Sequence, residues 1–391
     1  MPEPTLSTWS NAQIRDLVFR KLGKRPCLFQ VQVAQALYVR KKDVIGISAT
    51  GSGKTLSFWI PLLMAIEEGQ TDAMTVVITP LNMLGQQNVE DLNAAGISAI
   101  AVNADNATPE LLKEIEDGRY RAVAVNPEIL MKNRGVFEKM WKKPTFTARL
   151  QNFIVDEGQV VAQWADFRQE YKYLGQLRWM IPDTIPFYVA SATLPTPVLN
   201  NVTKHLRLRP TETEVIRRTN DRPNIEINVR EMKHSAKSFQ DLDFLIPSDL
   251  SEDSPPPKFL VFFDNMKESE AAIGHLRSRL PAALRHKITW FHSTMSPEFR
   301  KEKYEALRRG EIWGLCVTDA FGMGLDLPDI HYVVQWKPTC DMNSLWQRFG
   351  RGGRAAGSRA VAILLVEKKW LDEEEEGNSE GNKASTRKRK R

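Results

Sequence analysis

An α/β architecture of two tandem domains, each a parallel sheet flanked by helices, is the fold class this sequence predicts. Three observations carry it. The apolar run Val44-Ile45-Gly46-Ile47 leads into Ala49-Thr50-Gly51-Ser52-Gly53-Lys54-Thr55 and then into Leu56-Ser57-Phe58-Trp59-Ile60. That order of strand, glycine-rich turn and helix aims backbone N–H groups and a helix N-terminus at one point, where a phosphate chain can sit. From there to about residue 200, short strand-like runs alternate with helix-like ones, the pattern of crossovers in a parallel sheet. A second series of strand-like runs begins near Ile225, so two similar sheets in tandem enclose a cleft.

Composition narrows the class. With 42% hydrophobic and 26% charged residues over 391 positions, the chain reads as globular with a sizeable core. A net charge of +6 points only weakly to a polyanionic partner, because 54 basic residues are nearly matched by 48 acidic ones. Cys27, Cys316 and Cys340 are too far apart for a zinc cluster and odd in number for a disulfide framework. Free thiols in a reducing compartment and no structural zinc are the expectation. No apolar run approaches the roughly 18 residues of a membrane span, and the N-terminus lacks a signal-peptide pattern. The nucleus or cytosol is the expected location, with no membrane partner.

Taken in order, residues 1–25 form an N-terminal helical segment, since Leu6 to Gly23 alternates at helical spacing with Ser10 and Asn11 as candidate caps. Residues 26–206 form the first domain, with strands expected at Met74 to Thr79, Ile97 to Val102, Arg121 to Val125, Phe153 to Val155 and Phe187 to Ala190. The periodicity breaks over 207–220, where Arg207, Arg209, Arg217 and Arg218 cluster around Pro210, and this stretch reads as a linker. Residues 221–366 form the second domain, with strands at Ile225 to Val229, Phe259 to Phe263, Ile288 to Phe291, Leu315 to Thr318, Ile330 to Trp336 and Val361 to Val366. Pro247 to Pro257 is a loop. An acidic block, a polar spacer and the basic run Arg387 to Arg391 make 367–391 a disordered tail by composition.

Ligands in such sheets collect at the carboxyl ends of strands. The turn that closes the first strand offers the backbone of Thr50, Gly51, Ser52 and Gly53 to the phosphates of ATP, Lys54 to the β- and γ-phosphates, and the Thr55 hydroxyl to Mg²⁺. Asp156-Glu157 ends another apolar strand, so Asp156 can hold the Mg²⁺ shell while Glu157 polarises the attacking water. Read alone, the pair would be an acidic strand cap. Ser191-Ala192-Thr193 ends a third strand, with a small-residue turn before Pro195 as the alternative reading.

Ser48 stands where the strict phosphate-loop pattern has its first glycine, and Ala49-Thr50-Gly51-Ser52-Gly53-Lys54-Thr55 resembles the phosphate loop of superfamily 2 helicases. Asp156-Glu157 leads into Gln163-Trp164-Ala165-Asp166-Phe167-Arg168, then Tyr171, Tyr173 and Leu177-Arg178. This resembles the aromatic-rich loop of RecQ-type DNA helicases. The resemblance implies two RecA-like domains, and it implies that Gln30 reads the adenine edge. It further implies that Trp164, Phe167 and Arg168 sense single-stranded DNA, with Ser191 and Thr193 relaying strand contact to the ATP site. The alternative reading makes Trp164 and Phe167 core aromatics three apart on one helix face.

In the second domain Thr318-Asp319-Ala320-Phe321-Gly322-Met323-Gly324-Leu325-Asp326 resembles the family's fifth motif, which assigns Thr318 to nucleic-acid coupling and Asp326 to the nucleotide. Gln347-Arg348-Phe349-Gly350-Arg351-Gly352-Gly353-Arg354 resembles the sixth, with Arg351 and Arg354 as arginine fingers and Gln347 linking the nucleotide to domain closure. Two departures stand out. Gly158-Gln159 replaces the usual alanine and histidine after Asp-Glu, and Ala165 alone stands for a glycine-histidine pair. The activity implied is an ATP-dependent 3′–5′ helicase acting on single-stranded and partly duplex DNA in repair and recombination. A DEAD-box-like RNA helicase and a weakly hydrolysing, nucleotide-gated nucleic-acid clamp remain open beside it.

Overall fold

The computed structural model describes residues 9–80, 82–132, 135–164, 168–247, 250–251, 254–321 and 327–371. The first sheet has seven parallel strands: β1 (Asp43–Ile47), β2 (Met74–Ile78), β3 (Ala99–Val102), β4 (Ala122–Val125), β5 (Leu150–Val155), β6 (Phe187–Ser191) and β7 (Thr213–Arg217), in the spatial order β3-β4-β2-β5-β6-β1-β7. Its central strands are buried at nearly every position because helices cover both faces. Within β1, Ile45 and Ile47 join the core on one face while Val44 joins the core on the other. Helix α1 (Asn11–Leu22) starts at a capping box between Ser10 and Gln13 and ends at Gly23, whose φ of 65° suits a residue without Cβ. It packs Ile14, Leu17 and Val18 into the Val44 side, alongside α2 (Leu28–Ala34) and α3 (Leu56–Glu67).

The second sheet has six parallel strands, β8 (Ile225–Glu231), β9 (Phe259–Phe262), β10 (Ile288–Phe291), β11 (Gly314–Val317), β12 (Tyr332–Trp336) and β13 (Ala360–Val366), ordered β10-β11-β9-β12-β13-β8. Phe259 and Val261 face one core and Leu260 and Phe262 the other, the period of two that a strand covered on both faces requires. Each strand-like run expected from the sequence is a strand, with ends shifted by a few residues.

One expectation is corrected. The stretch 207–220 is not irregular throughout, because Thr213–Arg217 pairs in register with β1 as the edge strand β7. Two of its arginines, Arg209 and Arg207, pack against the first domain. Arg209 donates through Nε and Nη2 to the fully buried Asp43 carboxylate, which also takes Arg178. Arg207 lies over the Trp179 ring, 3.6 Å from its centroid. An unpaired carboxylate at the foot of β1 would be costly, so these guanidiniums bind the end of the first domain onto its sheet.

In the first sheet β5, β6 and β1 are consecutive neighbours. The turns after them therefore open side by side, although their residues are far apart in sequence. Among the described residues no helix is long and apolar enough to cross a membrane.

Candidate functional site

The loop after β1 folds on itself. Gly51 and Gly53 take φ of 70° and 76°, conformations that side-chain-bearing residues rarely adopt. Ser48, in the place of a glycine, hydrogen-bonds its hydroxyl to that of Ser52 at 2.8 Å, and its N–H donates to Ser191 at the end of β6. Lys54 Nζ donates to the Ser48 and Ala49 carbonyls at 2.9 and 3.0 Å, so the ammonium lies over the loop's own backbone. Burial pushes its pKa below the ordinary lysine value, against the opposing charges of Glu157 and Asp156. The Gln30 amide accepts from the Cys27 N–H and donates to the Gly53 carbonyl at 2.7 Å, fastening α2 to the loop.

Beyond β5, burial and then the neighbouring Glu157 push the Asp156 carboxyl up to about 7, with Lys54 opposing. Glu157 has a φ of 50°, unusual for a residue with a Cβ, and its N–H donates to Asp156 Oδ1. A chain of hydrogen bonds then leaves Glu157. Gln159 Nε2 donates to Glu157 Oε2 at 2.9 Å, Ser191 Oγ donates to Gln159 Oε1 at 2.5 Å, and the Thr193 N–H donates to Ser191 Oγ. Gln347 Nε2, from the second domain, donates to Thr193 Oγ1 at 3.2 Å. The sequence treats Gln159 as a departure; the fold makes it the link between two strand ends.

The second domain delivers its side from helix Met342–Phe349 and the turn after it. A cleft of about 670 Å³ between the domains is lined by Lys54, Thr55, Asp156, Glu157, Arg351 and Arg354, with Gln347 at its wall. Thr50, Gly51, Gly53 and Gln30 line it too, while Ser52 lines an adjoining cleft of about 470 Å³. Arg354 Nε donates to the Gly350 carbonyl, shaping the turn that carries both arginines.

Arg348 went unassigned in the sequence. It is buried, with its guanidinium bonded to Asp264 after β9, Asp319 after β11 and Gln335 in β12. The only sequence signal was a charged residue on the apolar face of that helix.

Trp164 is half-buried, edge-on to Tyr171 at 5.9 Å, with the Arg168 guanidinium 4.5 Å over its ring. Arg168 also reaches Glu128 and the Pro80 carbonyl. This neighbourhood borders the site without entering the cleft. Thr318, partly buried after β11, donates its N–H to the Phe291 carbonyl and lies outside the cleft lining. Phe167 and Asp326 lie outside the described residues, as do Ala165, Gly322 to Leu325 and the charged tail.

Residues 27–202 match the DEAD/DEAH box helicase family and residues 238–356 the helicase conserved C-terminal domain. Among curated proteins, the chain is 30% identical over 82% of its length to the ATP-dependent DNA helicase Q-like 4B of Arabidopsis thaliana, covering 27% of that protein. It is 29% identical over 87% of its length to the ATP-dependent DNA helicase Q1 of Rattus norvegicus, covering 52%, and 29% identical over 83% to the probable ATP-dependent DNA helicase RecS of Bacillus subtilis, covering 61%. The chain thus spans between about a quarter and three fifths of these relatives.

Among solved structures, S. cerevisiae Dbp5 bound to RNA and ADP BeF3 superposes with a TM-score of 0.71 at 17% identity, over 93% of this chain and 88% of that one. Mycobacterium smegmatis helicase Lhr bound to ssDNA and AMP-PNP gives 0.66 at 18%, over 93% and 48%. One neighbour holds RNA and the other DNA, so the shared architecture of two RecA-like domains does not choose between them.

Proposed function

The chain is a helicase core of the RecQ type, and from that premise we propose that it hydrolyses ATP in the interdomain cleft and uses the cycle to move along single-stranded DNA and open partly duplex DNA. The observation that carries this reading is the meeting, in one cleft, of Lys54, Asp156 and Glu157 from one sheet with Gln347, Arg351 and Arg354 from the other. Neither domain holds the whole set.

The donor set fits ATP and Mg²⁺. Gly51 and Gly53 leave the loop open to close approach, and Asp156, whose charge is disfavoured by burial and by Glu157, sits where a divalent cation would favour the ionised form. Bound there, ATP would supply the phosphoanhydride to be cleaved, and Mg²⁺ would supply positive charge to offset that of its phosphates. Lys54 would exchange its two backbone acceptors for phosphate oxygens, and Thr55 and Asp156 would hold the metal. Glu157, fixed by Gln159, orients and polarises the attacking water. Arg351 and Arg354 neutralise charge that develops on the transferred group, a contribution of about 10³ to 10⁵ in rate where such fingers act. Gln347, on Thr193, ties this step to the position of the second domain.

DNA rather than RNA is favoured by the helicase names of the curated relatives and by the aromatic run around Trp164. Stacking on such rings contributes about 1 to 3 kcal/mol per base and tolerates any sequence, which suits a motor on arbitrary DNA. The 3′–5′ direction is carried over with the family. ATP turnover with single-stranded DNA, with single-stranded RNA and with neither tests the proposal. Stimulation by DNA is expected; stimulation by RNA alone, or indifference to both, would favour the RNA helicase or the clamp. Glu157→Gln should still bind nucleotide while losing orders of magnitude in turnover, and full activity in that variant would sink the role of Glu157.

A further inference from the structure

We propose that Arg222 is a positioning residue for this reaction, a two-sided brace that sets the phosphate-binding loop against the turn bearing Arg351 and Arg354. The proposal deepens the ATPase reading above and rests on it. Arg222 lies in the connector between β7 and β8, yet its guanidinium spans both domains. Nη1 donates to the Thr50 carbonyl at 2.8 Å, and Nη2 donates to the Gly352 and Gly353 carbonyls at 3.0 and 2.8 Å. Nε donates to Asn224 Oδ1, and Asn224 Nδ2 in turn donates to Gly353 at 2.7 Å and Ser358 at 2.9 Å. Each of these acceptors is a neutral oxygen, so direction rather than opposite charge holds the bridge, and only a planar five-donor fork serves both sides together.

The surroundings leave little play. A Cβ on Gly51 would lie 3.3 Å from Arg222 Nη1, and one on Gly350 would lie 1.9 Å from Thr50 Oγ1. Loop and turn therefore touch through glycines, with Arg222 stitched along the seam. Two residues earlier in the connector, Asn220 Nδ2 donates to the Ala192 carbonyl at 2.6 Å, which fixes the same strand of chain to the end of β6. Arg222 is held beside Arg354, and burial together with that neighbouring charge lowers its pKa. A cation kept there, without a carboxylate among these acceptors, is accounted for by what it aligns. Arg222 touches no reacting atom; it acts through Thr50 and through the Gly350–Arg354 turn.

The test compares the full chain with Arg222→Ala and Arg222→Lys, reading steady-state ATP hydrolysis and amide hydrogen exchange without nucleotide. In Arg222→Ala, kcat should fall about 10- to 100-fold, the scale of a small misplacement of catalytic groups. KM should change by less than about threefold, because the phosphate loop itself is intact. Exchange should rise in residues 48–55 and 350–354 while β9 and β12 keep their protection. Arg222→Lys keeps the charge but reaches only one side, so its kcat should stay low.

Full kcat in the lysine variant, unchanged exchange in both segments, or loss of protection throughout the second domain would each overturn the brace. A parent chain that hydrolyses no ATP would sink the ATPase reading instead, and exchange, which needs no turnover, would still decide whether Arg222 joins the two segments.

Discussion

At Glu157 the backbone is left-handed, a conformation that costs on the order of 1 to 3 kcal/mol for a residue with a Cβ and persists only where the surroundings impose it. They do so here through Gly158. Its N–H donates to Ala190 on β6, and a Cβ on it would lie 2.2 Å from Val189 Cγ1, so the turn runs hard against the neighbouring strand. Glycine at a position where the family usually has alanine is thus matched to this close approach. Gln159 completes the arrangement by donating to Glu157 and accepting from Ser191 at once. Gln159→Ala should lower kcat about 10- to 100-fold, the equivalent of losing a hydrogen bond to a charged group. Gln159→His tests the direction of the bonds. A neutral imidazole can donate to one partner and accept from the other, whereas the cation can only donate. The histidine variant should approach parental kcat near pH 8 and lose it as pH falls through about 6.5, the ordinary histidine value. A pH-rate profile identical to the parent's would remove residue 159 from the relay.

Among elements, the strands with covered faces were legible and the edge was not. β1, β5 and β6 read as apolar runs because helices cover both their faces, and the functional turns follow at their ends. β7 buries only Ile216 and carries charges toward solvent, so its composition resembles a linker's and only its pairing with β1 makes it a strand. Ion pairs between distant turns are invisible for a similar reason: nothing in the spacing of Asp264, Asp319 and Arg348 says that β9, β11 and β12 end together. That cluster gives a pH prediction. Burial alone would raise the Asp264 pKa, but bonds from Arg348 and Thr339 outweigh it, and the net shift is downward. A folded pKa below the unfolded one means stabilisation that is present above the ordinary carboxylate range and lost as pH falls through the folded value. Asp264→Asn should therefore unfold at lower denaturant concentration than the parent at pH 7. The gap should close as both are acidified toward about pH 3, followed by circular dichroism. A gap constant across that range would mean the carboxylate charge contributes nothing.

For the whole molecule, the issue is how a strand of DNA could reach Glu157. The cleft residues were each readable from motifs, but the path between the domains was not, because Gln347 to Thr193, Arg222 to Thr50 and Asn220 to Ala192 join segments with no shared pattern. All three cross-links end on the turns after β1 and β6. Trp164 lies just beyond Gln159 on the same turn-and-helix segment, covered by Arg168 and braced by Tyr171. A base that displaced Arg168 from the ring would release it from the Trp164 face and shift the segment that carries Gln159 and Glu157. Trp164→Ala should then leave basal ATP turnover nearly intact while lowering its stimulation by single-stranded DNA. Affinity should fall only modestly and stay salt-dependent, since most binding free energy comes from backbone phosphates. Because Trp164 also packs against the first-domain core, Trp164→Phe serves as the partner variant: it keeps an aromatic face and should retain most of the stimulation. Equal loss of basal and stimulated turnover in both variants, with a lowered melting temperature, would make Trp164 a packing residue and cut the proposed path from DNA to the ATP site.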